Sequence, residues 1–274
     1  MSLLQKYQSA RHEKKSVLCV GLDPATPYMR KDSKSAIPSQ YFSTASELEG
    51  MMAFCLDMIE KTKGPAIAYK LNAQYGLPFS LADYKRITSA AKKARALTIL
   101  DIKLGDIGSS NDACLYWAAQ AGFDAITFSP FAGNLAEAAR LSKARNIGLF
   151  VLTLMSNPEA STFMRANLAG TPAYLWIAQE LARHGIEGAV VGATNTQALE
   201  LKQMREIAGK GVVFLVPGVG AQGGDAANVI MHGGENLLIN VGRDIIFSQN
   251  PKKAAEEYAR KLNDLMGRHS SVLR

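Results

Sequence analysis

"ILDIKLGDIGSS" (residues 99–110) runs an apolar strand straight into Asp101, Lys103 and Asp106. In a strand, residues two apart share a face, so Asp101 and Lys103 project to the same side. Asp106 follows three residues later, past Gly105, where the chain can already turn. Taken alone, a D-x-K at a strand end is compatible with a weak, exposed ion pair. The rest of the chain decides whether it is a site.

Working outward, the stretch is one of eight apolar runs: 16–23, 66–72, 96–104, 125–130, 147–155, 188–193, 212–220 and 236–242. They are continuous rather than alternating, as expected for parallel strands covered on both faces. Between them lie amphipathic segments with apolar residues at helical spacing, such as SLADYKRITSAAKKAR (80–95) and NLAEAARLSKAR (134–145). Several open on Ser, Thr or Asn, three close on or near Gly, and a last one opens on Pro251. Eight βα units in one chain predict an α/β fold, a (β/α)8 TIM barrel, better than a doubly wound open sheet. No domain boundary is visible, so residues 1–274 read as a single barrel domain. Two polar segments interrupt the repeat, 24–48 after the first strand and 156–171 after the fifth. Both are expected as long loops on the face where barrel enzymes keep their sites.

Bulk properties narrow the function classes. The formal net charge is +7, but the 31 Lys and Arg are scattered over segments that read as exposed helix faces, so no nucleic-acid surface is implied. No apolar run reaches the roughly 20 residues a membrane span needs, and the N-terminus is charged and lacks a signal-peptide core. Three cysteines, without metal-ligand spacing, point to a cytoplasmic setting. His12, His184, His232 and His269 are dispersed, so no metal site is expected. Ser156 lacks a G-x-S-x-G setting, which argues against nucleophilic hydrolysis.

Polar residues recur at the carboxyl ends of the strands: Asp23, Lys70 and Asn72, Asp101 with Lys103 and Asp106, then Thr153 and Ser156. Strand seven runs into PGVGAQGGD (217–225) and strand eight into VGRD (241–244). Gly218, Gly220, Gly223 and Gly224 would let backbone N–H groups approach an anion, with Gln222 and Arg243 as side-chain donors. Together, on adjacent strands, these read as a phosphate site.

GLDP (21–24), Lys70, DIKLGDI (101–107), TLMS (153–156), PGVGAQGGD and VGRDI (241–245) resemble the orotidine 5′-phosphate decarboxylase family over essentially the full chain. The longer loops and YKLNAQYG (69–76) are similar to its longer bacterial branch. D-x-K-x-x-D is shared with sugar-phosphate enzymes of the same superfamily, whereas PGVGAQGGD followed by VGR is more specific. One departure is DIGSS (106–110), where many members carry D-I-P-x-T; Ser110 keeps a hydroxyl.

The resemblance implies conversion of orotidine 5′-phosphate (OMP) to UMP and CO2 without a cofactor, in pyrimidine biosynthesis. Lys103 would protonate the pyrimidine carbon and Asp101 would lie against the departing carboxylate. Asp106 would reach the neighbouring subunit's site in a homodimer. Lys70 and Asp23 would hold the ribose and the charge network, Ser156 the pyrimidine, and Gln222 and Arg243 the phosphate. Ile107, Ser110, Pro217 and Gly242 complete the implied substrate contacts. The alternatives are a Mg-dependent 3-keto-sugar-phosphate decarboxylase or hexulose-phosphate synthase on the same barrel, and a silent phosphate-binding barrel.

Overall fold

Continuous apolar runs make strands that can be buried on both faces, and eight of them here close on themselves. The structure, a computed structural model, describes residues 1–30, 32–43, 46–220 and 224–272. Its barrel strands are β1 (Leu18–Leu22), β2 (Ala66–Asn72), β3 (Leu97–Leu104), β4 (Ala125–Phe128), β5 (Gly148–Leu154), β6 (Gly188–Val191), β7 (Val213–Val216) and β8 (Leu237–Val241). Each pairs in parallel with its neighbours in the chain, and β8 returns to β1. The TIM barrel predicted from the sequence is therefore the observed fold. Strand β7 stops at Val216, earlier than the predicted 220: Pro217 cannot donate to a ladder, and Gly218 and Gly220 take φ of +97° and +99°.

The outward positions, such as Val20, Leu22, Leu71 and Ile126, join the larger core under the helices. The inward positions, among them Ile67, Ile99, Phe150, Val190, Leu215 and Leu238, fill the barrel's own interior. Period-two alternation then fixes what comes next along the same inward faces. Two residues beyond Ala68, Ile99, Ala125 and Leu238 stand Lys70, Asp101, Thr127 and Asn240. The interior turns from apolar to polar at one level, on four strands.

Helices α1 (Leu3–Lys14), α2 (Glu47–Thr62), α3 (Leu81–Lys93), α4 (Gly108–Ala121), α5 (Leu135–Arg145), α6 (Ala173–His184), α7 (Ala198–Ala208), α8 (Ala226–His232) and α9 (Pro251–Val272) accompany the barrel. Helix α1 is not a βα crossover. It packs Leu3, Tyr7 and Ala10 into the interior cluster at the amino end. The buried Tyr7 hydroxyl donates to the Leu237 carbonyl at 2.7 Å, and Lys14 Nζ donates to the Ala66 carbonyl at 2.6 Å.

The two expected loops carry local structure. Segment 24–48 contains 3-10 turns at Ser33–Ser35 and Ser39–Tyr41, and α2 already begins at Glu47; Lys31, Thr44 and Ala45 lie outside the described residues. Segment 156–171 contains a short helix, Ala160–Met164, and a two-residue hairpin pairing Asn167–Leu168 with Thr171–Pro172. Arg165 fastens it to α7 through a two-pronged ion pair with Glu200, at 2.6 and 2.9 Å. No helix among the described residues is long and apolar enough to cross a membrane.

Candidate active site

The carboxyl mouth of the barrel centres on Asp101. Its Oδ2 accepts from Lys70 Nζ at 2.6 Å; its Oδ1 accepts from Lys103 Nζ at 2.8 Å and from the Thr127 hydroxyl at 2.9 Å. Three strands thus hold one carboxylate. The two lysines differ in exposure: the Lys70 side chain is 9% exposed and that of Lys103 is 35%. Lys70 is a buried counter-ion, while Lys103 presents its ammonium to the open mouth.

Burial alone would raise the Asp101 carboxyl, but the ammonium groups of Lys70 and Lys103 outweigh it and hold the acid well below its ordinary range. For Lys70, burial opposes the charged form, yet the negative charges of Asp101 and Asp23 reverse this and raise it above the usual lysine value. Asp101 and Lys70 are therefore both ionised at neutral pH. Asp23, at the end of β1, faces this charge, and its buried Oδ1 has no hydrogen-bond partner among the described residues. A buried carboxylate oxygen without a partner beside buried Lys70 is a group whose hydrogen bonding the fold itself leaves incomplete.

Lys103 has φ of +53°, in the left-handed region a non-glycine residue seldom takes. The β3–β4 ladder shifts register between Leu100 and Leu104, and Lys103 N–H donates to Thr127 Oγ1 at 2.9 Å. Strand β3 is locally bulged just where its side chain enters the mouth.

On the opposite rim, Gly192 approaches the Ser156 backbone so closely that a Cβ would lie 2.5 Å from Ser156 Cα. Thr194 Oγ1 and Asn195 Nδ2 both donate to the Ser156 carbonyl at 2.9 Å, pinning its main chain while its side chain stays half-buried. The Pro217 carbonyl accepts from Ala193 N at 2.9 Å. At Gly220, with its positive φ, a Cβ would meet Asp244 Oδ2 at 2.7 Å. Gly242 precedes the short helix Arg243–Ile246, and the Arg243 side chain is exposed.

Asp23, Lys70, Asp101 and Lys103 are thus brought together as the sequence predicts. Ser156, Pro217, Gly242 and Arg243 follow other strand ends of the same mouth. Asp106, Ile107 and Ser110 sit exposed past β3. Asp106 Oδ1 accepts from Ile107 N at 2.8 Å, and Asp106 makes no ion pair with Lys103 among the described residues. Gln222 lies outside the described residues. Thr153 turns away, its hydroxyl donating to the Val151 carbonyl at 3.0 Å. Sequence reading missed Thr127 and Asn240, whose only signal is their period-two position above apolar inward residues.

A parallel eight-stranded barrel with a hydrogen-bonded lysine–aspartate–lysine cluster at its carboxyl mouth is a TIM-barrel enzyme. The chain belongs to the orotidine 5′-phosphate decarboxylase / HUMPS family, whose model matches residues 16–258. A relative from Thermomicrobium roseum named orotidine 5′-phosphate decarboxylase is 32% identical, with 98% of this chain and 96% of that protein covered. One of the same name from Roseiflexus castenholzii is 33% identical, covering 96% and 97%. Among solved structures, the OMP decarboxylase of Leishmania donovani superposes with a TM-score of 0.79 at 26% identity, covering 97% of this chain and 99% of that one.

Proposed function

We propose that this protein is a carboxy-lyase that converts OMP to UMP and CO2 in de novo pyrimidine biosynthesis, acting in the cytoplasm. The observation that carries this reading is the Asp101 carboxylate held between a buried and an exposed ammonium group. The substrate carboxylate enters beside Asp101. As the bond to CO2 breaks, its electron pair stays on the pyrimidine carbon. Lys103 stabilises that developing charge and then delivers a proton from Nζ to the carbon, giving UMP.

Magnitudes assign the main effect. Two like charges about 4 Å apart repel by about 4 kcal/mol at an effective dielectric of 20. Large enzymatic accelerations need up to about 23 kcal/mol. Repulsion from Asp101 is therefore a minor contribution. Stabilisation by Lys103, together with binding energy drawn from the distant phosphate, supplies more. The glycine-rich segment 217–225, with Gln222, and Gly242–Arg243 after β8 bind the phosphate. Asp23 takes a ribose hydroxyl, and Ser156 faces the base. Ile107, Ser110 and Pro217 line the remaining contacts.

The active unit is a homodimer with shared sites. Asp106 lies on the exposed rim without contact to its own Lys103, in a position to serve the Lys103 of a second copy. The direct test of function is loss of OMP absorbance with CO2 release, run with and without EDTA. Activity that survives the chelator supports the reading. Turnover confined to sugar phosphates with added Mg2+ would assign the chain to the other branch of its family.

A further inference from the structure

We infer that Thr127 is a positioning residue: its hydroxyl ties the Asp101 carboxylate and the Lys103 main chain to one point on β4. The inference rests on the decarboxylase reading above and adds a residue to it. Thr127 is 2% exposed, so its hydroxyl has no bulk water to bond. The direction of both hydrogen bonds follows from chemistry. A backbone N–H can only donate and an ionised carboxylate can only accept. Lys103 N–H therefore gives to Thr127 Oγ1 at 2.9 Å, and the hydroxyl proton goes to Asp101 Oδ1 at 2.9 Å.

Those two bonds act at the two places where the site is weakest. Lys103 holds φ of +53° at a register shift, a conformation that persists only when its surroundings impose it. Among the described residues, Asp101 Oδ1 has only the partly exposed Lys103 ammonium as its other partner, whereas Oδ2 is fixed by buried Lys70. Without the Thr127 hydroxyl, the bulge is free to relax and the carboxylate to turn about its Lys70 contact. The proton donor and the negative charge beside it then lose their relative placement, and a shift of about 1 Å is enough to cost a large part of the rate. Substrate affinity, which depends on the phosphate and ribose contacts, is largely spared.

The test compares Thr127→Val, which keeps shape and β-propensity but removes the hydroxyl, with Thr127→Ser, which keeps the hydroxyl and removes the methyl. Steady-state decarboxylation of OMP, UMP affinity by calorimetry and the unfolding midpoint are measured on each. Thr127→Val is expected to lower kcat roughly 10- to 100-fold. Its KM and UMP affinity should stay within about threefold of wild type. Thr127→Ser should recover most of kcat. A Val variant within about twofold of wild-type kcat, or a Ser variant as slow as Val, overturns the inference. If the Val variant fails to fold, Thr127→Ala against Thr127→Ser makes the same comparison. A folded wild-type protein inactive on OMP overturns the functional reading itself. An active wild type with an unaffected hydroxyl deletion overturns only the role of Thr127.

Discussion

The two ends of the barrel interior treat polar groups in opposite ways. At the amino end, α1 closes the barrel with Leu3, Tyr7 and Ala10, and two polar groups there are answered by main-chain carbonyls: Tyr7 by that of Leu237, Lys14 by that of Ala66. At the carboxyl end, ionised groups are gathered on the inward faces of β2 and β3, and Asp23 Oδ1 is left without a partner among the described residues. Burying polar groups without complete satisfaction costs stability. The amino end therefore serves the fold and the carboxyl end serves a ligand. Substitutions at the two ends should separate activity from stability.

The largest separation is expected at Lys103. Lys103→Ala removes the proton donor and should lower kcat about 10⁴-fold. The partly exposed side chain contributes little packing, so the variant should stay folded and bind UMP, as read by calorimetry. Activity within about tenfold of wild type would move the chemistry to another group.

Asp101 belongs to both categories. Asp101→Asn leaves Lys70 buried without its counter-charge, which should cost about 3–5 kcal/mol of stability at neutral pH as well as activity. The sign of its pH dependence follows from the shifts. The Asp101 carboxyl lies below its ordinary value of 3.8 in the fold, so its contribution is full above that value and drains as pH falls through the folded one. Lys70 is raised above 10.5, so its contribution is full below 10.5 and is lost only as pH rises through the higher folded value. Denaturant titrations should therefore show a gap between wild type and variant that is full near neutral pH and narrows below about pH 4. A gap that widens in acid would contradict the ionised pair.

At the amino end, Leu3→Ala empties a position packed against Gly148, where even a glycine Cβ would lie 2.9 Å from the Leu3 side chain. The loss should be about 2–5 kcal/mol. Its kcat should match wild type under folding conditions. A kcat effect as large as the stability effect would mean that the two ends are not independent.

Legibility in the sequence follows the same division. The strands are readable because two-sided burial demands unbroken apolar runs, and Asp101 and Lys103 stand out because charges interrupt such a run. Helix α1 is harder to read, since only Leu3, Tyr7 and Ala10 are buried among twelve largely polar residues. The start of α2 had a readable signal, the Ser46–Glu49 capping box, inside a stretch that otherwise looks like loop. Thr127 had only its period-two position above Ala125: threonine in a strand is an ordinary β-former, and only closure of the barrel brings its hydroxyl to Asp101.

A more modest effect is expected at the rim. Arg243 is exposed, adds little packing and is assigned to the phosphate. Arg243→Ala should raise KM for OMP roughly 10- to 100-fold, the loss of one charge-assisted contact, with a smaller change for unphosphorylated orotidine. Equal losses for nucleotide and nucleoside would place the phosphate elsewhere.

The smallest effect, a factor of four, asks whether the open end is complete within one chain. Asp106 stands on the rim with its carboxylate bonded, among the described residues, only to Ile107 N–H, and its main-chain carbonyl held by Asn111 Nδ2 at 2.5 Å and Asn134 Nδ2 at 3.0 Å. Ile107 beside it is 63% exposed, an apolar side chain on the same rim. In a two-fold dimer each copy lends the same residue to the other. Lys103→Ala and Asp106→Ala should each be inactive alone. In a mixed dimer, one site then carries both lesions and the other carries neither. Random reassortment makes about half the dimers mixed, so roughly a quarter of all sites are intact. Activity of the mixture should rise to about that fraction of wild type as subunits exchange, with exchange followed by native mass spectrometry. A mixture that stays as inactive as its components after full exchange would mean that Asp106 acts within its own chain, and that the mouth is complete in one copy.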